Sequence, residues 1–178
     1  MRKLIAILLM TAAMAAAQIT QTYVTKPTDH DSKPNSDKVP DAFAIEGKFE
    51  RIVVLRFKFK VDMLKSFEDM VKQHNIRNAV ILSGAGSVRN YHIHSVSNRE
   101  FPSENIYTKN PSEPADLVSM NGYVIDGRIH AHMTLTDGNR AFGGHLEPGT
   151  NVFTFAIVTL GVFGDGVDLS KIDDKTYR

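Results

Sequence analysis

The sequence predicts an α+β domain in which an antiparallel β-sheet is flanked by one main helix. Short segments rich in β-branched and aromatic residues recur along the chain and are typical of strands. The dipeptide Asp126-Gly127 lies between two alternating segments, which is a strong signal for a tight hairpin. A single stretch, 62–74, has the apolar period of a helix. One helix with about six antiparallel strands defines the α+β class.

The first residues predict a signal peptide. Arg2 and Lys3 give a basic start, the apolar run 4–16 follows, and small residues stand at Ala15 and Ala17, where signal peptidase reads the chain. The apolar run is shorter than the roughly 20 residues that span a bilayer, so a membrane anchor is disfavoured. We therefore expect cleavage after residue 17 and an exported protein, either periplasmic or secreted, with no membrane span in the mature chain.

The mature chain is long enough for one domain with a sizeable core. Residues 18–42 are polar and contain three prolines, a composition that buries too little apolar surface to become ordered, so they predict a flexible leader. The folded domain is expected at 43–165 and a C-terminal tail at 166–178.

Charge and cysteine content exclude several function classes. Loss of Arg2 and Lys3 leaves 19 basic and 20 acidic side chains, a net charge of −1. Proteins that hold the DNA backbone usually carry a basic excess or a basic stripe, so nucleic acid is not an expected partner. The chain contains no cysteine, which excludes disulfides and thiolate metal sites.

The helix and the strands can be placed in order. Asp62 is a plausible N-cap for a helix through about His74, which we interpret as a helix-end histidine. The helical period gives one apolar stripe. The glycine-rich segment 83–87 predicts a bulge or sharp bend between two strands. The apolar stripe of the helix consists of Met63, Leu64, Phe67, Met70 and Val71. A long polar loop is predicted at 97–114. Strands are predicted at 51–59, 78–82, 88–96, 117–124, 128–136, from 141 onward and at 152–162.

A pair of histidines stands on one face of the predicted strand 128–136. Its odd positions, 129 to 135, are all apolar and its even positions are all polar. Because successive side chains of a strand point to opposite faces, His130 and His132 both lie on the face away from the core. Their Cα atoms are then about 6.6 Å apart, which lets both imidazoles reach one ion.

The register of the next hairpin predicts a third histidine at this position. A four-residue loop, 137–140, places His132 opposite His145 and His130 opposite Glu147. Directly opposed Cβ atoms are about 4.5–5.5 Å apart. A loop of three or five residues would move His145 to the other face. The sequence therefore predicts three imidazoles and one carboxylate in one place, the alternative being two surface histidines beside an unrelated His145.

Three imidazole ligands with an open position are the usual arrangement of catalytic zinc. We therefore expect a divalent transition metal, zinc first, on His130, His132 and His145. Glu147 is the candidate catalytic residue, although it could equally be a fourth ligand, a hydrogen-bond partner of a ligand, or an ordinary surface acid. A second pair, His92 and His94, has no third histidine or acid placed near it by the sequence, and a surface or intersubunit role is favoured there.

Three segments in this order resemble one known family: 82–88 with Gly84-Ala85-Gly86, then 130–135 with its two histidines, then Gly143-Gly144-His145-Leu146. The sequence is similar over about 49–163 to the plant and prokaryote conserved (PPC) domain, which also occurs in plant AT-hook nuclear-localised proteins. The resemblance implies a compact antiparallel sheet with a flanking helix, assembled as a homotrimer. It also implies a metal, commonly zinc, on three histidines that match His130, His132 and His145. The chain has no AT-hook, the basic segment through which plant members chiefly bind DNA.

Three functional hypotheses follow. The first is an exported metal-binding homotrimer that acts on, or holds, a small ligand bearing a carbonyl or carboxylate group, and it leaves open whether the protein is an enzyme. The second is a non-catalytic trimeric binding module, because the segment 152–160 is apolar on both faces and fits a central strand or a subunit interface. The third is DNA binding, which the export signal and the near-neutral charge disfavour.

Overall fold

A computed structural model of the protein describes residues 20–25 and 37–172. The predicted signal peptide, 1–17, lies outside the described residues, as do parts of the predicted leader and tail. The one helix of the described part of the chain has 11 residues and is too short and too polar to cross a membrane.

The predicted fold class is confirmed, since one helix accompanies a mostly antiparallel sheet. The helix, α1, spans Met63–Gln73. In the described residues the strands are β1 (Gln21–Thr25), β2 (Phe49–Lys58), β3 (Ala79–Val96), β4 (Asn105–Asn110), β5 (Ala115–Ile125), β6 (Arg128–Thr136), β7 (Ala141–Leu146) and β8 (Asn151–Phe163).

The helix begins and ends as its sequence predicts. The carboxylate of Asp62 accepts a hydrogen bond from the Lys65 amide at 3.0 Å, which is the interaction of an N-cap. His74 is the C-cap residue. The buried face of α1 carries Phe67, whose ring lies 5.9 Å from that of Phe57 in β2. This face joins α1 to the single large hydrophobic core.

Strand β3 organises the sheet because it pairs with four other strands. Its first half pairs with β8 on one edge and with β5 on the other, and its second half pairs with β4 and β7. The pairings of β3 with β5, β5 with β6, β6 with β7 and β7 with β3 therefore form a closed circuit. The core fills the inside of this circuit. The opposite side of these strands is called the outer face below.

The glycine-rich segment 83–87 lies within β3. Two separate strands were expected on either side of it, whereas the structure has one continuous strand whose register with β8 shifts between Ile81 and Ser83 and between Gly86 and Val88. The predicted bulge is therefore confirmed, and the predicted break is wrong. Gly86 has a φ of 149°, and a Cβ atom there would collide with the Phe155 carbonyl oxygen of β8. The bulge lets the strand bend without ending.

Two strands lie where the sequence predicts none. β4 lies within the expected loop 97–114, and β1 lies within the expected flexible leader 18–42. β1 pairs with β4, and β4 pairs with the second half of β3. β1 is an edge strand and β4 lies between β1 and β3, and in neither do buried and exposed side chains alternate as they do in a strand with one core face.

The first part of the expected C-terminal tail is packed against the domain. Val167 and Leu169 are buried and form a small second cluster with Ile125 at the end of β5. The backbone carbonyl of Val167 accepts a hydrogen bond from the buried side chain of Asn78 at 2.8 Å. The folded part of the chain therefore extends beyond residue 165, the predicted boundary.

Strand β7 packs closely between β6 and β3 because two of its residues, Gly143 and Gly144, have no side chain. A Cβ atom at Gly143 would collide with the Met133 carbonyl oxygen of β6, and one at Gly144 would collide with the His94 carbonyl oxygen of β3. The two glycines thus allow β7 to pair on both edges at once.

We predict that Gly144→Ala lowers the free energy of unfolding by about 1–3 kcal/mol, the usual cost of overpacking. The matched control is Gly164→Ala, because a Cβ atom there has nothing within 4 Å. Urea unfolding of both variants measures the difference. Equal stability of the two variants would contradict the tight placement of β7.

Candidate metal centre

Three histidine side chains converge on the outer face of β6 and β7. The predicted register is confirmed, since His132 pairs with His145 and Thr136 pairs with Ala141. The alternation of β6 is also as predicted: Ala131 is buried, whereas His130 is half-buried and His132 exposed. One ring nitrogen from each of the three histidines lies within 4.8 Å of the other two.

The spacing of these nitrogens fits a metal ion. The Nε2 atoms of His130 and His132 are 3.3 Å apart. Two nitrogens at about 2.0–2.1 Å from a tetrahedral zinc ion are separated by roughly the same distance. The ring of His145 stands nearly perpendicular to both partners, at 83° and 87°, with centroids 5.0 Å and 5.2 Å away. The three rings therefore surround a common point and do not stack on one another.

The surroundings of the cluster favour the neutral forms of two of its imidazoles, His145 and His132. Burial, together with repulsion from His94 and His130, lowers the pKa of His145 to about 4. The pKa of His132 is also lowered, by the strands packed around its ring and by repulsion from His130 and His94, even though the side chain as a whole is exposed. A metal ion binds the neutral form of imidazole, so both rings have a lone pair available at physiological pH.

Glu147 lies next to the cluster but contacts a different histidine from the one predicted. The ladder between β6 and β7 ends at His132 and His145, so Glu147 does not extend it opposite His130. Its carboxylate accepts a hydrogen bond from Nδ1 of His94 at 2.5 Å, and both side chains are about four-fifths buried. Burial alone would raise the pKa of Glu147, but the hydrogen bond and the attraction of His94 and His145 lower it.

The interpretation of His92 and His94 as a pair with no acid or third histidine nearby is wrong. β3 pairs with β7 so that His94 lies opposite His145, and their ring centroids are 4.7 Å apart. The amide of Glu147 donates to the His92 carbonyl oxygen at 3.1 Å. The pairing joins residues about 50 positions apart in the sequence, and nothing in the local pattern of either strand indicates it.

The cluster continues as a row of rings across five strands. His132, His145, His94, Tyr107 and Tyr23 are successive cross-strand partners on β6, β7, β3, β4 and β1. Neighbouring ring centroids are 4.7–5.2 Å apart throughout the row. The hydroxyl group of Tyr23 also lies 3.1 Å from Nε2 of His92. Strand β1 thus contacts, through Tyr23, the residues His92 and Tyr107 beside the histidine cluster.

Fold and site together define a small β-rich domain whose surface carries three histidines with the spacing of metal ligands. A family model for the Plants and Prokaryotes Conserved (PCC) domain matches residues 44–164. The chain belongs to this family, which confirms the resemblance found in the sequence.

Solved structures of prokaryotic proteins share the fold. A protein of Archaeoglobus fulgidus described as metal-containing is 24% identical, with a TM-score of 0.59 over 69% of this chain and 87% of its own. A hypothetical protein of Salmonella cholerae-suis is 21% identical, with a TM-score of 0.58 over 67% and 83%. A plant- and prokaryote-conserved protein of Pyrococcus horikoshii is 24% identical, with a TM-score of 0.52 over 71% and 86%. No curated protein sequence matches the chain.

We predict that the metal-free protein loses stability as the pH falls from 6.5 towards 4. In this window the unfolded state protonates His145 while the folded state, with its pKa of about 4, does not, so the unfolded state binds more protons. The lowered pKa of His132 acts with the same sign. Urea unfolding in the presence of a chelator, at pH values across the window, measures the effect.

The control for this prediction is His145→Gln, which should flatten the pH dependence between 6.5 and 4. His74→Gln, which removes a histidine at the C-terminal end of α1 and outside the three-histidine group, is the matched substitution with which His145→Gln is compared. A wild-type stability that is constant across the window would contradict the burial of His145 in its neutral form.

Proposed function

We propose that the protein is exported, that it holds a divalent transition metal on His130, His132 and His145, and that the open coordination position acts on, or holds, a small ligand with a carbonyl or carboxylate group. Zinc is the first choice of metal. The observation that carries the proposal is the convergence of three ring nitrogens within 4.8 Å on neighbouring strands. The solved relative that is described as metal-containing supports it.

The three histidines would leave at least one coordination position for a ligand or water. A bound zinc ion supplies Lewis acidity, which polarises an oxygen atom or lowers the pKa of a water molecule. The hydrogen-bonded pair of His94 and Glu147 flanks His145 and is suited to holding or moving a proton at the margin of the site. In this proposal Glu147, the candidate catalytic residue, acts through its hydrogen bond with His94 and is not a metal ligand.

We further propose that the domain assembles as a homotrimer through the outer face of β2 and β8. Ile52 and Val54 of β2 and Phe153, Phe155 and Ile157 of β8 are between 36% and 63% exposed. β2 and β8 are adjacent in the sheet, so these side chains share one largely apolar face, on which Arg56 lies opposite Ile157 and Lys58 lies opposite Phe155. Exposed apolar surfaces of this kind commonly mark protein–protein contacts. The same surface would serve the alternative function, a non-catalytic trimeric binding module.

DNA binding is disfavoured by charge. After removal of the predicted signal peptide the chain has one more acidic than basic side chain. A complex with the phosphate backbone needs several lysine or arginine contacts on one surface. On the outer face of β2 and β8, the basic side chains Arg56 and Lys58 are interspersed with exposed apolar side chains.

We predict that the purified protein contains about one metal ion per chain and that His132→Ala loses it. Removal of a direct ligand should weaken binding by more than the roughly 10–100-fold that follows loss of a ligand's hydrogen-bond partner. Elemental analysis after dialysis, and competition with a coloured chelator, measure content and affinity.

His92→Ala is the matched control for the metal experiment. His92 lies on the same face, but Nδ1 is 2.9 Å from the Pro148 carbonyl oxygen and Nε2 is near Tyr23, so it is outside the three-histidine group. This variant should keep its metal. A wild-type protein without stoichiometric metal, or equal metal content in His132→Ala and wild type, would refute the proposed site.

We predict that the wild-type protein is a trimer in light scattering and that Ile157→Glu dissociates it into monomers that still bind metal. A carboxylate on the apolar surface would have to be desolvated in the interface, which opposes association. Val96→Glu is the control, since Val96 is 66% exposed at the end of β3, and it should remain trimeric. A monomeric wild-type protein would contradict the assembly.

A further inference from the structure

A cavity of about 430 Å³ opens directly beside the histidine cluster. His130 and His132 line one end of it, so a group bound in the cavity can reach the ion that these histidines would hold. Most of the remaining wall is apolar and includes Val80, Ile125 and Ile172. The cavity lies on the side of the cluster away from His94 and Glu147, and the proposed function does not use it.

The floor of the cavity is the outer face of β3, β5 and β6. Val80 pairs with Tyr123, which in turn pairs with His130, so these three side chains form a row across the strands. In the adjacent row Asn121 pairs with His132. The polar groups of the cavity are therefore those nearest the cluster, and its apolar wall lies farther away. This gradient from polar to apolar is typical of a small-molecule site.

The end wall belongs to the C-terminal segment. Ile172 lines the cavity, and its amide donates to the Leu169 carbonyl oxygen at 3.0 Å. Leu169 and Val167 are themselves buried against Ile125, another lining residue. The segment predicted as a tail is thus packed against the domain and lines the apolar end of the cavity.

The chemistry of the two ends selects the ligand. Histidine ligands are neutral, so a divalent ion on them keeps its full charge, and the described lining residues of the cavity include no acidic side chain to balance it. An anionic oxygen donor is therefore favoured at the metal end. The apolar walls favour a hydrocarbon body, because burying such a body removes apolar surface from water, and the volume of about 430 Å³ is large enough for at least one ring.

We propose that the cavity is the binding site for the body of a carboxylate ligand that carries a ring or a branched hydrocarbon group, with its carboxylate on the metal and its body between Tyr123 and Ile172. This inference rests on the proposed metal site. It narrows the ligand from any small carboxylate or carbonyl compound to one with a substantial apolar part. Two other occupants, a side chain of a second copy and the residues after 172, are separated from it by the experiment below.

The experiment uses the full mature chain loaded with Co²⁺, whose visible absorption reports changes in coordination. Three probes are titrated: benzoate has both the carboxylate and the ring, acetate has only the carboxylate, and benzyl alcohol has the ring without the carboxylate. We expect benzoate to bind at least about tenfold more tightly than acetate, the gain that burial of a ring provides. We expect benzyl alcohol to leave the spectrum unchanged at the same concentrations.

Substitutions of Ile172, in the end wall, test whether the hydrocarbon body of the ligand lies in the cavity. Ile172→Trp narrows the apolar end of the cavity, and since Ile172 is 46% exposed the larger side chain does not have to enter the core. The variant should keep its metal and its response to acetate and lose the preference for benzoate. Ile172→Ala, which enlarges the cavity, should reduce the preference by a few fold. Val96→Trp adds the same side chain at an exposed position at the end of β3, outside the lining residues, and should change nothing.

The outcomes separate this inference from the proposed function. A wild-type chain that takes up no metal at the three histidines overturns both. Metal uptake with equal affinity for acetate and benzoate, or a benzoate preference that survives Ile172→Trp, overturns the cavity site alone. A benzoate preference that appears only after truncation at residue 172, or only in the monomeric Ile157→Glu variant, also overturns it, because the cavity is then filled by the chain's own end or by a second copy.

Discussion

The histidine site depends on one constraint, the register of the hairpin formed by β6 and β7. A four-residue loop between Thr136 and Ala141 places His132 opposite His145 on the same face. Because side chains alternate between faces, a shift by a single residue would turn His145 into the core and Leu146, which is buried, out to solvent. Burial of Met133, Leu135 and Leu146 therefore fixes the same register that brings the histidines together. The site does not need its own stabilising contacts, since the core on the other side of the strands positions it.

The sequence predicts those parts of the structure whose signal is local. The alternation in β6, the length of the loop after it and the N-cap Asp62 each lie within a few residues, and the structure confirms all three. The pairing of β3 with β7 closes the sheet between residues about 50 positions apart, and it alone brings His94 and Glu147 to the site. Local periodicity contains no information on such a closure. β1 and β4 were missed for a related reason: their order comes from backbone pairing with a neighbour, and neither strand shows the alternation of buried and exposed side chains that a strand with one core face has.

The closure of the sheet also explains why so many titratable groups gather around His145. β7 has β6 on one edge and β3 on the other, so His145 acquires a histidine neighbour on each side. Two imidazole neighbours and partial burial disfavour its charged form, which is the state that a metal ligand must avoid. The glycines at 143 and 144 are what allow both neighbours to approach, because either Cβ atom would strike a carbonyl oxygen of the adjoining strand. The absence of side chains at Gly143 and Gly144 therefore allows both the close packing of β7 and the approach of the histidines on either side of His145.

The position of the site on the outer face has a further consequence for its surroundings. The outer face of β3 connects the apolar surface on β2 and β8 with the strands β5 and β6 that carry Tyr123 and His130. A copy of the chain bound to that apolar surface would therefore lie against the same side of the sheet as the cavity and the histidines. A ligand site on this face would gain a wall from the proposed assembly without any rearrangement of the strands that hold the three histidines. Rigidity of the three histidines comes from the core within one chain, whereas access to them is set by what covers the outer face.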